Sequence, residues 1–154
     1  MHAAIGNKIN DLAHLLSGLS IYQHIPQVEV ACGDNEVAIV IRHLQQFSEE
    51  DLQKLHAFAK ENNYQIYLQP KGLDTIHCIT AEPAHLLSYT LRDGDVQLFF
   101  HPTDFTQINY GINKKMVAKV LELLAPKEDE QVLDLFCGIG NYRSCLLSHL
   151  RFFC

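Results

Sequence analysis

Hydrophobic residues in the first third of the chain follow first a helical and then a strand-like spacing. Between residues 5 and 19, apolar side chains recur three and four positions apart, which predicts one amphipathic helix. The segments on both sides of Gly33, Asp34 and Asn35 then alternate apolar and polar residues. This alternation predicts a β-hairpin whose turn residues adopt positive φ.

The next segment predicts a helix between two strands of one sheet. Ser48, followed three residues later by Asp51, approximates a capping box at the start of a helix. Four side chains are expected to bury this helix against the core: Leu52, Leu55, Phe58 and Ala59. A strand follows and ends at Pro70. The order of elements predicts a right-handed crossover that places residues 37–43 and 64–69 in one sheet, so we expect an α+β fold.

A second hairpin is predicted around Asp93 and Gly94. An aspartate–glycine pair between two alternating segments is a strong short-range hairpin signal. Alternation places one set of apolar residues on a shared face of the two strands: Tyr89, Leu91, Val96, Leu98 and Phe100. The hairpin is therefore expected to bury one of its two faces.

The last predicted elements are a helix and a short buried strand. From residue 111 the hydrophobic period becomes helical up to Pro126, with an apolar face formed by Ile112, Met116, Val120, Leu121 and Leu124. Residues 132–136 then read as a buried strand, and Gly138 and Gly140 break it into a loop that side chains do not crowd. The change of period predicts a domain boundary near residues 101–110.

Composition and charge limit the classes of function. The 154 residues are 47% hydrophobic and 19% charged, and no apolar run approaches the ~18 residues of a membrane span. The first residues lack the features of a targeting peptide, so we expect a cytoplasmic location. The net charge of −6 disfavours a self-sufficient nucleic-acid binder, because lysine and arginine provide most of the affinity for phosphate. Five cysteines without a Cys-x-x-Cys pair predict reduced thiols, with no disulfide framework, metal site or iron–sulfur cluster within this chain.

The loop after residue 136 contains half of a nucleotide-binding motif. A strand that ends in Gly-x-Gly allows a tight turn and lets a ligand approach the backbone. The third glycine of the dinucleotide fingerprint is missing, since Asn141, Tyr142 and Arg143 follow Gly140. The motif alone leaves three interpretations open: a methionine–nucleoside ligand, a dinucleotide, or a turn that serves packing only.

Two neighbouring stretches resemble a known family. The stretch HPTDFTQINYGINKKMVAKVLELL, followed closely by VLDLFCGIGN, is similar to the start of the methyltransferase domain in the S-adenosylmethionine-dependent RNA uracil-5 methyltransferases. The similarity is greatest to the bacterial branch that modifies 23S ribosomal RNA. It implies a partial central α+β domain over residues 1–100 and the first helix and strand of a Rossmann-like, truncated methyltransferase domain over residues 101–141. The implied partner of the parent protein is 23S rRNA.

The resemblance also implies part of a site for S-adenosyl-L-methionine. Gln107, Phe136 and Asn141 match side chains of the family's cofactor site. The amide of Gln107 can both donate and accept a hydrogen bond. Gly138 and Gly140 provide the backbone clearance that a ligand needs.

Three further residues in these stretches have alternative interpretations. Phe105 matches an aromatic residue near the target base of the family, where it would stack on a flipped uracil; the alternative is a core position. Asp134 either attracts the cationic ammonium or sulfonium side of the cofactor or is a buried, hydrogen-bonded structural carboxylate. Cys137 is excluded as the nucleophile and interpreted as a packing residue, because the family's nucleophile lies in a Ser-Cys-Asn-Pro stretch that this sequence lacks.

The resemblance ends after Asn141. The family continues with a strand that ends in an acidic residue, whereas residues 142–154 contain none and are expected to be an atypical, out-of-frame tail with exposed leucines: Leu146, Leu147 and Leu150. Without the downstream cysteine and base we expect a fragment that is inactive alone and binds its cofactor weakly. A shortened parallel sheet leaves an open strand edge and an uncovered apolar face, which predicts a homodimer.

These observations favour a fragment of an S-adenosylmethionine-dependent 23S rRNA uracil-C5 methyltransferase. The alternative is a non-catalytic α+β module that positions RNA or contacts another subunit. A nicotinamide or flavin oxidoreductase is disfavoured by the missing third glycine and by the Asp-Phe-Thr-Gln segment, which that class does not require.

Overall fold

The computed structural model describes residues 3–80, 84–91, 96–127, 130–146 and 151–153. Helices and strands occur together, which confirms the mixed α+β class. The helices are α1 (Ala3–Gly6), α2 (Ile9–Ser17), α3 (Glu49–Asn62), α4 (Tyr110–Leu124) and α5 (Arg143–Leu146). The strands are β1 (Gln27–Cys32), β2 (Val37–Arg42), β3 (Tyr64–Gln69), β4 (His77–Cys78), β5 (Leu87–Leu91), β6 (Val96–Phe100), β7 (Gln131–Leu133) and β8 (Arg151–Phe153).

The chain forms two compact units, Met1–Leu87 and Ser88–Cys154. The domain boundary near residues 101–110, which the change of hydrophobic period predicts, and the domains implied by the family resemblance stay predictions. No helix of the described residues is long and apolar enough to cross a membrane.

Four strands of the first unit form one sheet in the order β1-β2-β3-β4. β1 and β2 are antiparallel, while β2 and β3 run parallel, with Val37 opposite Tyr64 and Arg42 opposite Gln69. The parallel pair confirms that residues 37–43 and 64–69 share a sheet. β2 and β3 are buried along almost their whole length, as expected for central strands that carry continuous apolar runs.

The core of this unit packs α3 against the two central strands. The side chains of Ile39, Ile41, Leu55 and Ile66 are completely buried, and each contributes roughly 1.5–3 kcal/mol by leaving water. Phe58 and Ala59 are buried as predicted, whereas Leu52 packs at the margin and is only partly buried.

The predicted capping box at the start of α3 is confirmed. The hydroxyl of Ser48 accepts the backbone N–H of Asp51 at 3.1 Å, and the carboxylate of Asp51 accepts the N–H of Ser48 at 3.3 Å. The same carboxylate accepts the backbone N–H of Ser20 at 2.9 Å and its hydroxyl at 2.5 Å. Asp51 therefore joins the start of α3 to the segment after α2.

The prediction of one helix over residues 5–19 is wrong. α1 ends at Gly6 and α2 begins at Ile9, with a turn in which the N–H of Lys8 donates to the carbonyl of Ile5 at 2.9 Å. Glycine and asparagine have low helix propensity, so the Gly6-Asn7 pair breaks the helix although the apolar spacing continues.

The hairpin turn after β1 is confirmed in place but not in conformation. None of residues 33–36 has a positive φ, contrary to expectation. The N–H of Gly33 instead donates to the carbonyl of Glu36 at 2.8 Å. A four-residue connection of this length does not require the left-handed residues of the shortest hairpins.

In the second unit, β5 and β6 pair as predicted. One face of the pair is buried and consists of Leu87, Tyr89, Leu91, Leu98 and Phe100. Val96, predicted on this face, is only partly buried. The predicted turn at Asp93 and Gly94 lies outside the described residues.

Helix α4 is confirmed, but it buries a different face from the predicted one. Ile112 and Leu124 are exposed, whereas Asn113 and Val117 are each 1% exposed. Met116, Val120 and Leu121 are partly buried. The spacing of apolar residues alone predicts that Ile112 is buried. In the structure the polar Asn113, one position later, lies in the buried stripe of the helix instead.

The predicted buried strand over residues 132–136 is wrong in length and in burial. β7 ends at Leu133 and pairs in parallel with β8. Leu133 is 61% exposed, Leu135 71% and Phe136 fully exposed. Phe136 has a φ of 62°, which no β-strand residue adopts, so the strand has to end before it.

The tail was also expected to expose its leucines. Leu146 is instead buried at 3% exposure, because it lies in the short helix α5, which packs against β6. Leu147 and Leu150 lie outside the described residues.

Candidate functional site

The loop after β7 is built from left-handed backbone conformations. Phe136, Gly138 and Gly140 have φ values of 62°, 54° and 84°. The N–H of Gly140 donates to the carbonyl of Cys137 at 2.9 Å, which closes a tight turn. A Cβ placed on Gly138 would have no atom within 4 Å, whereas one on Gly140 would lie 3.2 Å from the hydroxyl of Ser144. Open space thus lies beside Gly138, while Gly140 is packed against the start of α5.

The loop lines a shallow cleft of about 510 Å³ formed by Asp134, Leu135, Phe136, Cys137 and Gly138. Oδ2 of Asp134 is buried and has no hydrogen-bond partner among the described residues. One of the two interpretations of Asp134 is a hydrogen-bonded structural carboxylate, and this oxygen gives it no support. A buried, unpaired carboxylate oxygen is unfavourable unless a ligand compensates it.

Asn141 belongs to a buried hydrogen-bond network rather than to the cleft lining. Its Oδ1 accepts the hydroxyl of Tyr89 at 2.9 Å and Nδ2 of Asn113 at 3.0 Å. Its own Nδ2 donates to Oδ1 of Asn113 at 2.8 Å. Burial raises the pKa of Tyr89 to about 12, so its hydroxyl keeps its proton and donates at neutral pH.

Phe105 and Gln107 lie in the non-helical segment between β6 and α4, and both are exposed. Phe105 is 80% exposed, so its alternative interpretation as a core residue is wrong. Neither residue lines the cleft at Asp134. The structure therefore brings Phe136 and Gly138 together in the cleft, with Gly140 and Asn141 following in the same loop, and the contribution of Phe105 and Gln107 stays a prediction.

Cys137 is disulfide-bonded in the structure, so the expectation of reduced thiols is wrong at this residue. Its exclusion as the nucleophile stays a prediction. Among the described residues, no group of three or more histidine, cysteine, aspartate or glutamate side chains could hold a metal ion.

Two residues near the loop were not recognised as site residues in the sequence. The alternation of residues predicts only that Tyr89 lies on the buried face of a hairpin. Apolar spacing predicts that Ile112, rather than its neighbour Asn113, lies on the buried face of the helix. A signal for Asn113 exists, since it lies at helical spacing from Val117 and Val120, and a polar residue in a buried stripe needs hydrogen-bond partners. No local pattern indicates that its partner is Asn141.

Comparison with known proteins identifies the relatives of this chain. A family model described as tRNA (Uracil-5-)-methyltransferase matches residues 7–152. The 23S rRNA (uracil(1939)-C(5))-methyltransferase RlmD of Hahella chejuensis is 51% identical over 140 residues, which cover 90% of this chain and 31% of that protein. RlmD of Francisella tularensis is 44% identical over 155 residues, covering 98% of this chain and 34% of that protein.

The fold is also similar to a solved structure. The tRNA (uracil-54, C5)-methyltransferase of Pyrococcus abyssi, determined in complex with S-adenosyl-L-homocysteine, superposes with a TM-score of 0.57 at 19% identity. The match covers 87% of this chain and 34% of that chain. At this identity the likeness concerns the fold alone.

The family model and these relatives place the chain in a family of RNA-modifying methyltransferases. The chain belongs to the RNA uracil-5 methyltransferase family. It spans 31–34% of the length of the curated relatives quoted above.

Proposed function

We propose that this chain is part of a 23S rRNA uracil-C5 methyltransferase and carries one side of its S-adenosyl-L-methionine site. The observation that carries the proposal is the buried Oδ2 of Asp134, which finds no hydrogen-bond partner in the described part of the chain and lies in a cleft lined by a glycine loop. A ligand that combines a cationic ammonium or sulfonium group with a nucleoside complements such a carboxylate. Identity of 51% to an RlmD supports the same assignment.

The chain's own residues bind and orient the cofactor in this proposal. The open backbone at Gly138 admits the ligand, and the ring of Phe136 offers a face for packing. Gln107 and Asn141 contribute amide hydrogen bonds, and Gly140 sets the turn that directly precedes Asn141. The exposed ring of Phe105 is available to stack on an unpaired uracil.

The cofactor, when bound, supplies the methyl group, and the remaining chemistry requires groups that this sequence lacks. Methylation at C5 of uracil requires a thiolate that adds to C6 and a base that removes the C5 proton. No Ser-Cys-Asn-Pro stretch occurs in the 154 residues, and Cys137 is disulfide-bonded. We therefore propose that the chain alone binds cofactor weakly and does not transfer the methyl group.

Ligand binding is tested by titrating the ¹⁵N-labelled chain with S-adenosyl-L-homocysteine and, separately, with NAD. NMR detects weak affinity, which an incomplete site implies. We expect amide shifts confined to Gln107 and residues 134–141 with S-adenosyl-L-homocysteine and none with NAD. D134N should weaken binding by about tenfold, as expected for the loss of a charge-assisted contact worth ~1.5 kcal/mol. D74N changes an aspartate of the first unit and is the control.

A response to NAD alone would assign the loop to a dinucleotide instead. S-adenosyl-L-homocysteine carries the ammonium group but no sulfonium, so equal affinity of D134N and the wild-type chain would remove the ammonium contact from the proposal.

A second candidate is a non-catalytic module that contacts another subunit or positions RNA. The exposed apolar side chains at Leu133, Leu135 and Phe136 favour the subunit contact, whereas the net charge of −6 disfavours RNA. Filter binding to a 23S rRNA fragment over a salt series separates the two, since a phosphate binder loses affinity steeply as salt rises. We expect no salt-dependent binding by the chain alone.

A further inference from the structure

The amide of Asn141 is held in one orientation by buried partners. Asn113 lies on α4, 1% exposed, and its side-chain amide pairs reciprocally with that of Asn141. In this pair each amide donates one hydrogen bond and accepts one, at 3.0 Å and 2.8 Å. The two residues are 28 positions apart in the sequence, so the pair connects the glycine loop to α4.

A third partner completes the network around this amide. The hydroxyl of Tyr89, on β5, donates to the same Oδ1 of Asn141 that accepts from Asn113. Rotation of the Asn141 amide alone by half a turn would place its NH₂ group against the NH₂ group of Asn113 and its oxygen against the oxygen of Asn113, and it would reverse the bond with Tyr89, whose hydroxyl can also accept. Such a rotation loses the two amide–amide hydrogen bonds in a mostly buried setting, where unmade bonds are costly.

We propose that Tyr89 and Asn113 are positioning residues, which fix Asn141 so that it offers a ligand only an N–H donor. Oδ1 already accepts two hydrogen bonds, and one hydrogen of Nδ2 is used by Asn113. The second Nδ2 hydrogen has no hydrogen-bond partner within the part of the chain that the structure describes. The inference rests on the proposed function, and it determines the ligand group that Asn141 recognises: an acceptor such as a carboxylate or hydroxyl oxygen.

Three variants test the network. Y89F removes one donor to Oδ1 and keeps the ring, whose centroid lies 5.6 Å from that of Phe100. N113D replaces the amide donor by an oxygen at nearly constant volume. N141D converts the outward donor into an acceptor. The controls are Y110F, which loses a hydroxyl bonded to the carbonyl of Thr90, and N109D, which keeps an acceptor at the N-cap of α4.

The first measurement needs no ligand. In the free chain, one side-chain amide hydrogen of Asn141 is bonded to Asn113 and the other has no partner among the residues that the structure describes, so we expect the two to exchange with water at rates that differ by about tenfold or more. Y89F and N113D should reduce this difference, and both controls should preserve it. Equal exchange rates in the wild-type chain would overturn the inference, whatever ligand the site binds.

The second measurement is the affinity for S-adenosyl-L-homocysteine by NMR titration. We expect Y89F to weaken binding by about threefold and N113D and N141D by about tenfold, consistent with 0.5–1.5 kcal/mol per hydrogen bond. The controls should bind like the wild-type chain. If the wild-type chain binds and Y89F, N113D and N141D bind equally well, positioning is wrong while the proposed function stands. If the wild-type chain shows no shifts, the proposed function fails. The exchange rates alone then show whether Tyr89 and Asn113 hold the amide of Asn141.

Discussion

Two features of Phe136, its backbone conformation and its exposed side chain, cost free energy that packing does not offset. Its φ of 62° lies in the left-handed region, which costs an L-residue roughly 1–2 kcal/mol, and its side chain is fully exposed. Strained conformations of this kind persist where a ligand site needs them. The residue lines the cleft next to Gly138, so we interpret the strain as part of ligand binding.

Replacing Phe136 by glycine should stabilise the chain and weaken the site. Relief of the left-handed strain outweighs the ~0.5–1 kcal/mol of extra chain entropy of glycine, so F136G should raise the free energy of unfolding by about 0.5–1 kcal/mol. Urea denaturation measures this change. F105G is the matched control, because Phe105 is also exposed but has no positive φ, and it should not stabilise. A loss of stability in F136G would show that the ring packs in solution.

Single residues of the site were predictable only where one residue type carries the signal. Gly138 and Gly140 adopt the positive φ that the Gly-x-Gly motif indicated. The positive φ of Phe136 was not predictable, because phenylalanine ordinarily avoids that region. At Gly33 the prediction failed in the opposite direction. A positive φ was expected in this turn because glycine can adopt it, but Gly33 does not have one.

At the scale of elements, Asp51 determines how α3 begins. Burial opposes ionisation of its carboxyl group, but the hydrogen bonds from Ser20 and Ser48 outweigh burial and lower its pKa. The stabilisation by this carboxylate is therefore complete above the unfolded-state pKa of about 4 and is lost as pH falls through the folded-state value.

The change D51N should lower the free energy of unfolding at pH 7 by about 2 kcal/mol, within the range for hydrogen bonds to a charged group. The difference between D51N and the wild-type chain should shrink as pH falls below about 4, because the wild-type carboxyl then becomes neutral too. Urea denaturation from pH 7 to pH 3 measures both curves. D74N, at an exposed aspartate that makes no ion pair among the described residues, should follow the wild-type curve; a constant gap between D51N and wild type would contradict the assignment.

The two long helices end in the left-handed region with different residues. The C-cap residue that follows α3 is Asn63, which tolerates its φ of 56°. The C-cap residue that follows α4 is Ala125, with a φ of 36°. We expect A125G to raise the midpoint of thermal unfolding by a few degrees, corresponding to about 0.5–1 kcal/mol. N63A introduces the same strain at α3 and should lower the midpoint by a similar amount. Identical midpoints for all three chains would show that neither helix end limits stability.

Elements were predictable where their signals are local. The capping box spans four residues, and the parallel pairing of β2 and β3 follows from the order of elements. The face of α4 was not predictable from apolar spacing, because Asn113 is buried by a hydrogen bond to Asn141, 28 residues further along the chain. The extent of β7 depended likewise on the backbone of Phe136 rather than on hydrophobicity.

At the scale of the whole molecule, large apolar side chains remain exposed near the glycine loop. Leu133, Leu135 and Phe136, three residues within a stretch of four, are 61%, 71% and 102% exposed. Contiguous apolar surface of this kind is typical of interfaces.

We predict that the chain self-associates through this stretch. Sedimentation at micromolar concentration should show a dimer, and the double variant L133K/L135K should be monomeric because it places charges in the interface. The matched control L44K/L73K changes two leucines of the first unit that are 65% and 72% exposed and should remain dimeric. A monomeric wild-type chain would contradict the prediction.

The sheet of the first unit ends differently on its two sides. β4 has only two residues, and just beyond it the hydroxyl of Thr80 accepts the N–H of Ile66 while the N–H of Ile79 donates to the carbonyl of Ile66, both at 2.9 Å. The side chain of Thr80 thus occupies a hydrogen-bonding position of β3 that could otherwise pair with a further strand. The opposite edge strand, β1, carries the exposed carboxylate of Glu29. A charged side chain on an edge strand opposes pairing with the sheet of a second copy.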